Sequence, residues 1–383
     1  MKVLINMWPH FLLSHVGDYY ANTEVSAMGK QFPDMQFVQV RSPAAIAAAN
    51  ARALILHAAH KLRLLNSNLK ILQPLFNLQC TSYLPDSYLR DIHPDVIFAH
   101  SHIPRLGHEC STPLVAVEYF ASERYMKMAG VLHCLPREIQ AKRWATEYAQ
   151  VILTTTPASK VRFDQYVPEA ASRVLQVPIY MPYLEPVTDD YTMQKAQDDK
   201  ELQVLFVGGA ARRKGLPQVL EAFRLLKKPV RDRLRLTVVS NFQDGPVPGI
   251  ERVAEVLSSV EASYMAELMR KAHIFAFPTQ FDTYGRVIVE AMAGGCAIIS
   301  SNTDPQDWIL GYGMAGIAIN PASPGEIADG LTLLTQDRNI RMNYALSAIR
   351  RFREVFYHRV VGMQYRNAFE AAIRARGSLK RVA

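Results

Sequence analysis

The segment Phe277-Pro-Thr-Gln-Phe-Asp-Thr-Tyr-Gly-Arg-Val-Ile-Val-Glu-Ala-Met-Ala-Gly-Gly-Cys-Ala-Ile-Ile-Ser300 constrains this chain more than any other. The short run His273 to Phe277 is stopped by Pro278, and Ile298 to Ser300 opens the next, so two strands flank one helix. Thr283 is the expected cap, Gly285 lets the backbone come close to a ligand, and Val287, Ile288, Ala291 and Met292 make the apolar stripe. Gly294-Gly295 ends the helix. Strand, turn, helix and strand in that order belong to an α/β sheet. The helix aims unpaired N–H groups and a positive dipole end at the turn 281–285, at the mouth of that sheet.

Two carboxylates frame the helix. Asp282 stands just before it and Glu290 follows eight residues later, about two turns on. A phosphate at the helix N-terminus would have an acid on either side, suited to sugar or ribose hydroxyls. As an ordinary exposed helical acid Glu290 is out of place, because Ile288, Val289, Ala291, Met292 and Ala293 around it are apolar. Upstream, Gln203-Val-Leu-Phe-Val-Gly-Gly-Ala-Ala-Arg-Arg-Lys-Gly215 is a strand that ends in Gly208-Gly209 and runs into clustered cations. Backbone close approach together with Arg212, Arg213 and Lys214 is what a diphosphate requires.

The pattern Pro-Thr-x-x-Asp-x-Tyr-Gly-x-x-x-x-Glu-Ala-Met-Ala-x-Gly resembles the E-x7-E signature of retaining, nucleotide-sugar-dependent glycosyltransferases of the GT-B fold, the group 1 type. The resemblance implies that Glu290 binds the nucleotide ribose, that Asp282 contacts the donor sugar, and that the turn Thr283, Tyr284, Gly285 and Arg286 holds the diphosphate. Asp282 stands where the family usually has Glu. Lys214-Gly215 is similar to the family's Gly-Arg-x4-Lys-Gly element. The family's Arg falls at Gly209, so Arg212 or Arg213 stands in for it.

The first half matches the family in outline only. Val3 to Met7, a loop with Gly17, a helix from Asn22 to Gln31 and Met35 to Val40 make a β-loop-α-β opening. Between Asp34 and Asp86 there is no acid, while Arg41, Arg52, Lys61, Arg63 and Lys70 are basic. Ala44 to Leu65 reads as a long cationic amphipathic helix, either a platform for anionic lipid or an ordinary helix with a basic solvated face. Asp95 to His102 and Pro113 to Phe120 are strands ending in His100, His102 and in Glu118-Tyr119, at the carboxyl edge where such sheets bind ligands. His100 and His102 are acceptor-side candidates or satisfied loop residues. Tyr119 replaces the family's His, and Glu118 beside it is an acceptor contact and catalytic candidate.

At 383 residues, 49% of them hydrophobic, the chain has material for two domains. No run is apolar enough to span a membrane, and Cys80, Cys110, Cys134 and Cys296 form no metal-ligand spacing, which suits a reduced cytoplasmic setting. The prolines 178, 182 and 186 and the polar run Thr188 to Lys200 mark a linker. The expectation is an α/β protein with two Rossmann-like domains facing a central cleft: 1–185 for the acceptor, a linker at 186–200, 201–359 for the nucleotide sugar, and a C-terminal helix from about 360 crossing back.

The resemblance implies transfer of a sugar, with retained configuration and no metal, from a UDP- or GDP-sugar to a glycan or lipid-linked acceptor in bacterial surface polysaccharide or glycolipid synthesis. The catalytic group is then Asp282, Lys214, Arg212, Arg213 and Glu118, acting by charge stabilisation in a water-excluding site. The charge of +8 and pI near 9.2 favour a peripheral position at an anionic membrane. A relative that binds nucleotide sugar or a partner without catalysis is the alternative. Nucleic acid ranks last, for want of a recognisable motif.

Overall fold

The computed structural model describes residues 1–7, 26–39, 83–84, 86–100, 105–106, 110–121, 123–128, 130–197, 200–258 and 260–376. Gly17, His102 and the acid-free basic stretch, with its expected helix at 44–65, lie outside them.

The strands, in chain order, are β1 (Lys2–Met7), β2 (Gln36–Gln39), β3 (Tyr83–Leu84), β4 (Val96–His100), β5 (Arg105–Leu106), β6 (Leu114–Val117), β7 (Val151–Thr154) and β8 (Val174–Gln176), then β9 (Leu202–Val207), β10 (Leu234–Val239), β11 (Ala254–Leu257), β12 (Ile274–Phe277), β13 (Ala297–Ser301) and β14 (Ile317–Ile319). They form two parallel six-stranded sheets, ordered β2-β1-β4-β6-β7-β8 and β11-β10-β9-β12-β13-β14, with β3 and β5 paired apart. Runs such as Val96-Ile-Phe-Ala and Ile274-Phe-Ala-Phe are buried at every position, as strands covered on both faces must be. In the second sheet the order reverses between β9 and β12. Their carboxyl ends flank a topological switch point, where open α/β sheets bind ligands.

Two compact units divide the chain: Met1–Phe120 with Cys134–Pro182 and Val361–Ala383, and Ala121–His133 with Tyr183–Val360. In the first unit, Val361, Tyr365, Ala368, Phe369 and Ala372 of the helix His358–Arg374 share one core with Val3, Ile5, Phe98 and Val115. Phe98 meets Tyr365 and Phe369 edge-on, with ring centroids 5.6 and 5.4 Å apart. Arg366 holds both carboxylate oxygens of Asp34, at 3.1 and 2.8 Å.

Residues 188–197 of the run expected as a linker belong to the second unit. Asp189–Ala196 is a helix whose Thr188 side chain accepts from Tyr191 N at 3.1 Å. Its Lys195 ammonium donates to the carbonyls of Arg270, Ala272 and Gly294 at 3.0, 2.8 and 2.9 Å, fastening the helix to the second unit. Carbonyls at helix C-termini need such donors, and a polar sequence supplies one without any apolar periodicity.

Candidate functional site

Three loops leave the carboxyl ends of the adjacent strands β10, β9 and β12 and tie to one another. Gln243 N donates to Gly209 O at 2.8 Å, and Gln280 N donates to Arg213 O at 3.0 Å. Gly215, at φ +90°, lies against the Pro278 carbonyl so closely that a Cβ would stand 2.1 Å from its oxygen. Gly208 gives way to the Lys214 side chain and Gly209 to Asn241 and Gln243; a Cβ would be 2.9 Å from Lys214 Cγ and 2.8 Å from Asn241 Oδ1. These glycines let three loops share a space that side chains would fill.

Within this cluster Lys214 forms a short ion pair with Asp282, the two side chains only 13% and 14% exposed. The ammonium also lies 5.0 Å from the Phe277 ring centroid. Burial pulls the Lys214 pKa down, and the Asp282 carboxylate opposes that shift. The second oxygen of Asp282 accepts from Thr283 N at 2.8 Å.

The neighbouring arginines are held differently. Arg212 donates from Nε and Nη2 to Pro246 O at 3.0 and 2.6 Å. Arg213 donates from Nη1 to Phe281 O at 2.6 Å and stacks 5.1 Å from the Phe281 ring centroid. Their backbone amides are taken by Asp244, at 3.2 and 2.8 Å. Asp244 was not singled out from the sequence; an acid in a Gly/Pro-rich loop gives no periodic signal.

The central helix runs Arg286–Ala293, and its N-cap is Gly285 at φ +99°, with no side-chain cap. Thr283 is exposed and does not cap it, because the left-handed turn at Gly285 sets the start of the helix two residues later than a Thr283 cap requires. Tyr284 is buried against Trp308, and its carbonyl accepts from Gln306 Nε2 at 3.2 Å. Glu290, half-buried in its apolar stripe, accepts from Tyr183 OH at 2.9 Å, and that oxygen accepts from Arg286 Nη2 at 3.0 Å. Burial pushes the Glu290 carboxyl up, against the Arg286 charge and the Tyr183 hydrogen bond. The same burial and the Glu290 charge push the Tyr183 phenol up.

Sequence reasoning therefore placed Gly208, Gly209, Lys214, Asp282, Thr283, Tyr284, Gly285, Arg286 and Glu290 in one region, and the structure brings them together in the second unit. It missed Tyr183, Asp244 and Gln306, each of which acts through a contact far away in sequence. Among the described acceptor-side candidates, His100 ends β4 and Glu118 follows β6, in adjacent register at the carboxyl edge of the first sheet. Glu118 is paired with Lys142 at 2.5 Å, both side chains nearly buried. Tyr119 beside it is half-buried.

Two parallel six-stranded sheets of this topology, with a glycine-rich loop cluster at the switch point of the second, define the GT-B class of fold. Residues 188–351 match the model of the family described as glycosyl transferases group 1, and that segment holds all of the second-unit site but Tyr183. The phosphatidyl-myo-inositol mannosyltransferase of Mycobacterium tuberculosis is 29% identical over 162 residues, 39% of this chain and 43% of the relative. The chain spans between 38% and half of the length of the curated relatives it matches first. Among solved structures, sucrose-phosphate synthase from Thermosynechococcus elongatus superposes with a TM-score of 0.64 at 13% identity, covering 98% of this chain and 99% of that one. Anabaena HepE, in complex with UDP, gives 0.62 at 14% identity over 97% and 100%.

Proposed function

We propose that the chain is a glycosyltransferase that moves a sugar from a nucleoside-diphosphate sugar to a glycan or lipid-linked acceptor, with retained configuration and without a bound metal. The observation that carries this reading is the Lys214–Asp282 pair set between glycine turns at the ends of β9 and β12. An ammonium in a nearly dry site, beside the N-terminus of the helix Arg286–Ala293, offsets the charge that grows on a departing diphosphate. Asp282 then exchanges its ion pair for the donor sugar's hydroxyls, and Glu290 receives the ribose. HepE was solved with UDP and with UDP-glucose, which supports a UDP-sugar donor for this chain. At the carboxyl edge of the first sheet, Glu118 and His100 are the groups we assign to the acceptor. The cytoplasmic face of a bacterial membrane, and surface glycan or glycolipid synthesis, are the setting this chemistry fits.

Arg212 and Arg213 are fastened to Pro246 and Phe281 carbonyls, and this favours Lys214 as the principal phosphate contact. It also keeps alive a second reading, a nucleotide-sugar-binding relative that does not transfer.

Calorimetric titration with UDP, GDP, ADP and their common sugars, on wild type and Glu290→Ala, tests the site. Selective binding of one nucleotide, lost in the variant, is expected, followed by transfer in an acceptor screen. No binding of any nucleotide sinks the donor site; binding without transfer to any acceptor selects the second reading.

A further inference from the structure

Glu290 does not stand alone in its apolar stripe. The phenol of Tyr183, from the segment that precedes the helix Asp189–Ala196, reaches its Oε1 at 2.9 Å. Arg286, one turn earlier on the helix of Glu290, donates to the phenol oxygen at 3.0 Å and places its guanidinium 5.8 Å from the Tyr183 ring centroid. The arrangement is directional. Arg286 fills the acceptor side of the phenol, so its single O–H is committed to the carboxylate. A carboxylate held by one fixed donor keeps its second oxygen turned to a defined direction, and bidentate recognition of two adjacent hydroxyls demands that orientation.

We propose that Tyr183 is a positioning residue for Glu290: its hydroxyl holds and orients the carboxylate, and thereby sets how tightly the site grips the ribose diol of a nucleoside diphosphate. The ribose half of this proposal rests on the donor-site reading above. The carboxylate half does not.

The physical need for such a partner is visible in the balance at Glu290. Burial disfavours its charge, and Arg286 and the Tyr183 hydroxyl are the groups that favour it. Among the described residues, the helical segments packed on this one are Ala262–Lys271, Gln306–Ile309, Arg338–Arg351 and Phe352–Phe356, and none of their charged groups, Asp307, Arg353 and Glu354 included, shifts the Glu290 carboxyl. Taking away the hydroxyl removes one of two supports of the charged form. The Glu290 pKa rises, and the fraction able to accept two ribose hydroxyls falls.

Tyr183→Phe isolates that atom and keeps the ring that packs under Arg286. Two measurements decide the matter. First, without any nucleotide, the Glu290 carboxyl is titrated by infrared difference spectroscopy, its band assigned with Glu290→Gln. The expected result is an upward shift of its titration in Tyr183→Phe, and an unchanged titration overturns the carboxylate half whatever the nucleotide does. Second, calorimetry with the nucleoside diphosphate and its 2′,3′-dideoxy analogue reads the ribose half. The variant is expected to bind the natural nucleotide about three- to tenfold more weakly, a penalty that widens as pH falls and vanishes for the dideoxy analogue. An equal penalty for both ligands means a structural effect and overturns the ribose half. Failure of the wild-type protein to bind any of UDP, GDP or ADP overturns the donor-site reading and the ribose half with it, while the titration still decides the carboxylate half.

Discussion

At the residue scale, the two carboxylates that the sequence pattern set side by side do opposite electrostatic work. Asp282 is the counter-ion of Lys214 and holds the Lys214 pKa up against burial. Diphosphate affinity should therefore fall as pH rises through the Lys214 pKa. In Asp282→Asn that fall should move to lower pH, as calorimetry from neutral to alkaline pH would read. Lys214→Ala should weaken diphosphate binding roughly 10- to 100-fold at neutral pH, the range for hydrogen bonds to charged groups. Glu290 carries the reverse balance: its folded pKa is raised, so between the unfolded and the folded pKa the folded state holds a proton that the unfolded chain has released. Stability then declines as pH rises from the unfolded carboxylate pKa through the higher folded one. Glu290→Gln should raise the melting temperature at neutral pH and lose that advantage in acid, while binding nucleotide worse. Each kcal/mol gained is worth about 2–4 °C for a domain of this size. A melting temperature lower than wild type at neutral pH would contradict the assigned balance.

At the element scale, the strands and the central helix were legible because their signals are local. Ile274–Phe277 and Ala297–Ser301 are short apolar runs, and Arg286–Ala293 has its stripe and its glycine stops. Pro157–Tyr166 is held by equally local features, with proline in its first turn and the Thr156 side chain accepting from Ser159 N. What misled was polarity taken for looseness: Asp189–Ala196 is a helix because Thr188 caps it and Lys195 finds three carbonyls, and neither fact shows as hydrophobic periodicity. The cap of the central helix was misplaced for a similar reason. Thr283 has the right chemistry, but a left-handed Gly285 fixes where the helix begins. Gly215 belongs to this scale as well. Gly215→Ala combines a left-handed backbone with a Cβ driven into the Pro278 carbonyl, so it should destabilise the second unit by more than about 2 kcal/mol. Urea unfolding followed by a probe in that unit would read the loss, and a wild-type midpoint would show that the β9 and β12 loops are not locked as described.

At the scale of the whole molecule, the C-terminal helix belongs to a core built from the other end of the chain. Tyr365 and Phe369 pack on Phe98 beside Val3 and Ile5, and Arg366 grips Asp34. Removing residues 361–383 should expose β1 and β4 to hydrogen exchange and leave β9 and β12 protected; equal loss in both sheets would contradict the division into units. Burying one Phe or Leu side chain is worth roughly 1.5–3 kcal/mol, so withdrawing five buried residues of this helix exceeds what a marginal domain can lose. The sequence by itself determined the α/β class, the two sheets, and the strip of residues from Gly208 to Glu290 that makes the second-unit site, because period, glycine and charge are written locally. Only the tertiary structure decided which side chains complete that site. It put Tyr183 on Glu290, Asp244 on the amides of Arg212 and Arg213, both arginine side chains on backbone carbonyls, and Lys142 on Glu118. A pairing between residues far apart in sequence costs chain entropy and leaves no periodic trace, so it becomes readable only once the sheets have brought the partners together.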